Sequence, residues 1–274
     1  MVADPLAQST RIIKVSTGKQ ESATNDTLKD KATLKDKAAL VIGGGSGIGQ
    51  AVAWAIAAEG CRVAIAGRTL SSLEETAAAF TGQPPILVHK CDVADRTEVE
   101  QLFAWLDEQL GPLDIMVNSA GVNIARRTMA QLDPADWDRV LAINATGAYN
   151  CMRAALERMR PRRRGLIVNI SSIAGKRALR LAGPAYCASK FAMTALGTAV
   201  GLEERANGIK VTNIYPGEVN TPILRMRPEP VPEEKKAQML QPADIAACVV
   251  CIAKLPPHAL VPELVITPLY QEYA

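Results

Sequence analysis

The sequence predicts an α/β protein with one doubly wound parallel sheet of about seven strands and helices on both faces. From Ala38 onward, short apolar runs alternate with longer segments of helical periodicity, which is the pattern of βαβ units. The runs are apolar throughout, as expected of strands covered on both faces. Hydrophobic residues make up 48% of the chain and aromatic residues only 4%, which suits closely packed helix and sheet layers.

The candidate elements follow one another in a regular order. Helix starts are predicted at Asp95, at Asp133–Pro134 and at Pro242, because an acidic cap or a proline in the first turn favours the beginning of a helix. The candidate strands are residues 38–43, 62–67, 86–91, 113–118, 165–171, 209–215 and 264–267.

Residues 1–34 are predicted to form a polar, disordered N-terminal tail, and residues 35–274 a single domain. The hexapeptide of residues 27–32 is repeated at 33–38, which we interpret as a local duplication. The tail has no apolar block like that of a signal peptide, and no apolar run reaches the roughly 20 residues of a membrane-spanning helix. The sequence therefore predicts no association with a membrane.

Charge and cysteine content argue against several function classes. The net charge of +3 is too small to predict nucleic-acid binding. The six cysteines lie mostly in apolar runs, which favours a reducing, cytoplasmic location. Cys248 and Cys251 form a CxxC pair, but no second pair or nearby histidine completes a metal site. We interpret them as core residues and expect no metal.

A glycine-rich turn, residues 43–49, lies between the first candidate strand and a helical segment over residues 50–59. Glycines permit a tight turn and let bare backbone approach a pyrophosphate, which then meets the positive end of the helix. A plain tight turn is the alternative. The context favours dinucleotide binding by Gly43, Gly45, Ser46, Gly47, Ile48 and Gly49.

The end of the second candidate strand indicates which dinucleotide is bound. An acidic residue here would accept the ribose hydroxyls of NAD, but Gly67 and Arg68 stand in its place. A guanidinium suits a 2′-phosphate. The sequence therefore favours NADP(H) and leaves NAD(H) possible, with a solvated loop arginine as the alternative interpretation.

Tyr186 and Lys190 are four residues apart in a segment predicted to be one helix. Four residues make about one helical turn, so both side chains rise from the same face. A positive charge beside the phenol favours the phenolate and lowers the tyrosine pKa from its ordinary value near ~10, as a proton-transfer group requires. Chance spacing within a long helix is the alternative.

The order of these motifs resembles the classical short-chain dehydrogenase/reductase family over about residues 37–270. Residues 118–121, Asn-Ser-Ala-Gly, are similar to the family's Asn-Asn-Ala-Gly segment, and Tyr186 with Lys190 matches its YxxxK motif. The resemblance implies a single Rossmann-fold domain. It also implies cofactor contacts by Tyr186, Lys190, Asp92, Val93, Asn118, Ala120, Gly121, Pro216, Gly217, Val219 and Thr221.

The resemblance further implies the catalytic set Asn144, Ser172, Tyr186 and Lys190. Ser172 would bond the developing alkoxide and Tyr186 would supply the proton. Lys190 would lower the pKa of Tyr186 and bind the nicotinamide ribose, and Asn144 would hold a relay water. Two features depart from the family: Ile42 replaces a usual Thr, and the C-terminal segment lacks an Asp-Gly-Gly finish and looks like that of the branch acting on small hydroxy acids and related alcohols.

The function implied is hydride transfer between a nicotinamide cofactor and a small carbonyl or alcohol substrate. One alternative is a 3-oxoacyl-thioester reductase, for which the basic residues 126–127 and 160–164 could meet an acidic carrier protein, although such runs are usually solvated. A catalytically idle dinucleotide-binding protein is the other.

Residues 222–238 are expected to form a lid over the substrate pocket. Four arginines flank the place where substrate must sit, namely Arg177, Arg180, Arg225 and Arg227. They suggest an anionic substrate, with solvated loop arginines as the alternative.

A homotetramer or homodimer is also predicted, because two long helices carry apolar residues on more than one face. The residues expected to need cover are Ala154, Ala195, Leu196, Val200 and Leu202.

Overall fold

The computed structural model describes residues 33–273. The predicted tail lies outside this range except for its last two residues, and so does the first copy of the duplicated hexapeptide. Leu34 is fully buried and packs in the core of the unit that begins with it.

Seven strands form one parallel sheet in the order β3-β2-β1-β4-β5-β6-β7. The predicted α/β architecture is confirmed, and each strand differs from its predicted ends by at most two residues. The strands are β1 Ala38–Ile42, β2 Arg62–Gly67, β3 Leu87–Lys90, β4 Ile115–Asn118, β5 Gly165–Ile170, β6 Ile209–Pro216 and β7 Glu263–Ile266.

Eight α-helices lie within the described residues, and the predicted starts at Asp95, Asp133 and Pro242 are confirmed. The Asp95 carboxylate accepts hydrogen bonds from Thr97 N and Glu98 N, which satisfies two free amides of the first turn. The helices are α1 Gly47–Ala58, α2 Leu70–Ala79, α3 Arg96–Gln109, α4 Pro134–Leu141, α5 Gly147–Met159, α6 Pro184–Glu203, α7 Glu233–Gln238 and α8 Pro242–Ala253.

The apolar runs are explained by two cores, one on each face of the sheet. Ala38, Leu40 and Ile42 of β1 pack in the cluster that contains residues of α3 and α5. Ala39 and Val41 pack in the opposite cluster with residues of α1 and α8. Alternate side chains of a strand point to opposite faces, so a strand covered on both sides must be apolar at every position.

The strand order reverses direction at β1, whose neighbours are β2 on one side and β4 on the other. The connection after β1 crosses one face of the sheet and the connection after β4 crosses the other. A crevice therefore opens beyond the carboxyl ends of these two strands. No helix of the described residues is long and apolar enough to cross a membrane.

Candidate active site

A cavity of about 610 Å³ lies at this crevice. Its walls come largely from the segments that follow the seven strands, together with the beginning of the lid segment, residues 222–238. It brings together most of the predicted site residues: Gly43, Gly45, Ser46, Gly47, Ile48, Arg68, Val93, Ala120, Gly121, Ser172, Tyr186, Lys190, Pro216, Gly217, Val219 and Thr221.

The glycine turn supplies bare backbone to one end of the cavity. Gly43 has φ +78°, and a Cβ there would lie 2.7 Å from Ala120 N. Gly49 lies beneath the turn and does not line the cavity, and a Cβ on it would lie 2.2 Å from Gly43 O. Glycine at these two positions therefore lets the turn fold tightly against the next loop and against itself.

The N-terminus of α1 is open toward the cavity. Ser46 stands at the N-cap position but its side chain makes no capping hydrogen bond, and the first turn has no acidic residue. The first amides and the positive end of the helix dipole therefore remain available to an anion. This arrangement fits the pyrophosphate of a dinucleotide, which Gly45 and Gly47 would contact through backbone.

Arg68 follows β2 at the same end of the cavity, and its side chain is exposed. None of the ion pairs in the described residues involves Arg68. Its charge is therefore available to a phosphate group beside the glycine turn.

Tyr186, Ser172 and Lys190 meet at the other end of the cavity. Ser172 follows β5 and caps the 3-10 turn Ile173–Gly175, with its Oγ accepting a hydrogen bond from Ala174 N at 3.1 Å. Lys190 is buried, and its Nζ donates to Ile170 O at 2.9 Å. The same Nζ lies 5.7 Å from the centroid of the Tyr186 ring.

Burial shifts the pKa values of both α6 groups. Desolvation raises the pKa of Tyr186 to about 12, against the opposing effects of the Ser172 hydrogen bond and the Arg127 charge. Desolvation lowers the pKa of Lys190 to about 8. The sequence led us to expect that Lys190 lowers the Tyr186 pKa, but here burial raises that pKa, and the Lys190 ammonium donates to a backbone carbonyl.

Asn144 does not line the cavity, although it lies close to it. It is fully buried in a π-helical turn, Ala142–Thr146, between α4 and α5. Its Oδ1 accepts from Val122 N at 2.8 Å, and its Nδ2 donates to Val122 O at 2.9 Å and to Ser189 Oγ at 3.0 Å. The side chain therefore positions the loop after β4 against α6.

Asp92 and Asn118, both expected to contact the cofactor, also lie outside the cavity lining. Asp92 Oδ1 accepts from Ala94 N at 3.0 Å and so shapes the loop after β3. Asn118 begins a ladder of buried amides across three strands: its Nδ2 donates to Asn169 Oδ1 at 2.9 Å, and Asn169 Nδ2 donates to Asn213 Oδ1 at 3.0 Å. These amides hold the strand ends that carry the site.

The four arginines proposed from the sequence are not equivalent. Arg177 lies 4.8 Å from the centroid of the Tyr273 ring, and Arg180 is exposed outside the cavity lining. Arg225 is exposed beside a separate groove. Arg227 lines the cavity but forms an ion pair with Glu218 at 2.7 Å. None of them offers an unpaired charge to the cavity.

Arg127, Glu218 and Gln271 are among the polar side chains in the cavity wall that were not assigned to the site from the sequence. Arg127 belongs to a basic pair that was interpreted as solvated, yet it is only 6% exposed. Gln271 Oε1 accepts from Glu218 N at 2.8 Å, so the segment after β7 reaches the cavity. No local pattern marks these residues, because each contact joins segments far apart in the chain.

The chain is similar to a known protein family and to several known proteins. The short chain dehydrogenase family model matches residues 37–231, which include the glycine turn, Tyr186 and Lys190. Glycine betaine reductase ATRR of Emericella nidulans is 36% identical over 244 residues, 87% of this chain but 19% of that protein. The chain therefore spans about a fifth of that relative's length.

Two further proteins are similar to this chain over nearly their whole length. An uncharacterized oxidoreductase of Staphylococcus aureus (strain USA300) is 34% identical over 237 residues, 86% of this chain and 99% of that protein. The solved closed form of a serine dehydrogenase complexed with NADP+ has a TM-score of 0.78 and 26% identity, covering 86% of this chain and 97% of that chain.

Proposed function

The chain belongs to the short-chain dehydrogenase/reductase family and is an NAD(P)-dependent oxidoreductase, and we propose that it transfers a hydride between NADP(H) and a small carbonyl or alcohol compound. The observation that carries the proposal is the meeting of Tyr186, Ser172 and Lys190 at one end of a cavity whose other end is the glycine turn. The cofactor can then be bound in the same cavity in which the proton is transferred.

The bound cofactor would supply the hydride for reduction. Tyr186 would donate a proton to the substrate oxygen as negative charge develops there, and Ser172 would stabilise that oxygen with a hydrogen bond. The Lys190 ammonium would offset the charge left on the phenol oxygen. A ketone, NADPH and one proton thus yield an alcohol and NADP+, and oxidation uses the same groups in reverse.

The test is a screen of the purified full-length chain with NADPH against aldehydes, ketones and keto acids, followed by the loss of NADPH absorbance. We expect turnover with a subset of these compounds. Tight NADPH binding without turnover of any of them would favour the idle dinucleotide-binding alternative.

The preference for NADP(H) over NAD(H) rests on Arg68 and on the absence of an acid at Gly67. We expect Arg68→Ala to lower the ratio of kcat/KM with NADPH to that with NADH by ten- to a hundredfold, since a charge-assisted contact contributes about 1.5–3 kcal/mol. Arg205→Ala, which removes another exposed guanidinium, is the control and should keep the ratio. An unchanged ratio in Arg68→Ala would refute this role.

The pH profile should report Lys190. Its pKa is lowered from 10.5 to about 8, so the ammonium is present below pH 8 and lost above it. We expect kcat/KM for reduction to fall about tenfold per pH unit above this value. Lys190→Arg should remove that limb, because a guanidinium stays protonated. A wild-type profile without a fall in this range would contradict the assignment.

The carrier-protein alternative is weakened by contacts of the basic cluster, residues 160–164. Arg160 pairs with Glu204, while Arg162 and Arg164 both pair with Asp114. Much of the positive charge that an acidic carrier would need is therefore balanced within the chain.

A homodimer or homotetramer remains our proposal for the assembly. Of the residues expected to need cover, Ala154 is buried within the chain, whereas Leu202 is 59% exposed. Tyr149 on α5 and Phe191 on α6 are also exposed. A cytoplasmic location likewise stays a proposal, supported by six free cysteines.

A further inference from the structure

Arg127 presents a buried positive charge beside the proton-transfer groups. It follows β4 and is only 6% exposed. Its Nη1 donates to Leu181 O at 2.9 Å, and its Nη2 donates to Met226 O. The guanidinium therefore lies between the loop that precedes α6 and the lid segment.

Part of this guanidinium makes no hydrogen bond within the described residues. Nε is buried and makes no hydrogen bond within the described residues. None of the ion pairs in that part of the chain includes Arg127. Burial is accordingly the main cause that lowers its pKa. A buried N–H without an acceptor is costly, so a guanidinium kept here without a carboxylate calls for an explanation.

Arg127 faces the cavity near Tyr186, and each of its Nη atoms carries a second N–H that makes no hydrogen bond within the described residues. Arg127 lines the cavity and packs on Gly183, where an added Cβ would lie 2.8 Å from the Arg127 Cβ. Gly183 precedes α6 by one residue and Tyr186 by three. The charge of Arg127 is close enough to the phenol to lower the pKa of Tyr186.

Among the described residues at this end of the cavity, the other cations are already engaged: the Lys190 ammonium donates to Ile170 O and is assigned to the phenol. Arg227 is neutralised by Glu218 at 2.7 Å, and Glu218 also accepts from Tyr270 at 2.5 Å. Several neighbours in the wall are apolar, among them Leu181, Leu224 and Met226. In such surroundings a carboxylate is the natural partner of one unsatisfied guanidinium.

We propose that Arg127 binds the carboxylate of the substrate, so that the preferred substrates are small keto acids and the corresponding hydroxy acids. This rests on the proposed function, because it assigns a second contact to the substrate whose carbonyl faces Tyr186. The reaction is then the reduction of the keto group by NADPH and one proton, with the carboxylate unchanged. Arg127 binds and orients the substrate and does not itself transfer a proton.

The competing explanation is purely structural: Arg127 would hold two carbonyls together and keep the lid segment in place. The two roles differ in their dependence on substrate charge. Loss of a structural contact should impair acids and neutral compounds alike, whereas loss of an anion contact should impair acids alone.

The experiment compares acetoacetate with methyl acetoacetate, and pyruvate with methyl pyruvate, in the full-length enzyme with NADPH. We expect Arg127→Gln to lower kcat/KM for the acids by roughly 30-fold or more and to change the values for the esters by less than about threefold. Arg127→Lys keeps the charge but not the fork of donors, so its kcat/KM for the acids should lie between the values of the wild type and of Arg127→Gln. Arg126→Ala removes the exposed neighbouring guanidinium and should behave as wild type.

Calorimetric titration of the NADP+-bound enzyme with acetoacetate and with methyl acetoacetate separates this proposal from the proposed function. Preferential binding of the acid that is lost in Arg127→Gln supports the subsite even if no compound is turned over. Equal binding of acid and ester in the wild type, or parallel losses for both compounds in Arg127→Gln, would overturn it. Failure of the whole NADPH screen would instead count against the proposed function.

Discussion

Replacing Tyr186 by Phe is expected to lower kcat/KM for carbonyl reduction by roughly 10²–10⁴-fold, the range associated with a positioned proton donor. The variant removes one oxygen from α6 and leaves the ring packed beside Lys190. Binding of NADPH should stay within a few-fold of wild type, because the glycine turn and Arg68 are untouched. Stopped-flow measurement of single turnovers would isolate the chemical step from product release.

The matched control is Tyr149→Phe, which removes the same oxygen from a tyrosine that is 40% exposed on α5. It should retain wild-type kinetics and thermal stability. Near-normal single-turnover rates in Tyr186→Phe would show that another group delivers the proton, and the assignment of this cavity end would then fail.

Replacing Asn169 by Ala is expected to destabilise the sheet by about 2–6 kcal/mol. The change leaves Asn118 Nδ2 without its acceptor and Asn213 Oδ1 without its donor, and both side chains are buried. Each unsatisfied buried group costs about 1–3 kcal/mol. Chemical denaturation would measure the change in the free energy of unfolding.

Asn118→Ala provides the comparison within the same ladder. It leaves only Asn169 Oδ1 unpaired, so about half of the Asn169→Ala effect is expected. Equal losses in the two variants, or a loss below about 1 kcal/mol in Asn169→Ala, would mean that water replaces the missing amide and that the ladder contributes little.

The elements that the sequence predicts well are those governed by neighbours in the chain. The apolar run of β1 marks a strand buried on both faces, because every side chain of it meets a core. Likewise, the spacing of Tyr186 and Lys190 predicts a shared helix face, and both side chains line the cavity. The Asp95 cap is confirmed because capping depends only on the next three residues.

The contacts around Arg127 at the proposed substrate end of the cavity could not be predicted, because they join distant segments. The partners of Arg127 are carbonyls at Leu181 and Met226, 54 and 99 residues away. The pairing of Arg227 with Glu218 requires the lid segment to fold back on the loop after β6. The sequence around a loop arginine does not indicate whether its side chain will be buried without an ion pair, as Arg127 is, or paired with a carboxylate, as Arg227 is. These outcomes depend on the folded structure.

The two ends of the cavity are built by different kinds of segment, and this difference affects how the protein can evolve. The walls around the proposed cofactor end come from turns fixed to strand ends and tied by the buried amide ladder. The proposed substrate end comes largely from two short segments, residues 179–182 and 222–227, that meet at the Arg127 guanidinium. Mutational libraries confined to these ten residues would diversify the shape and polarity around the substrate while leaving the sheet unaltered.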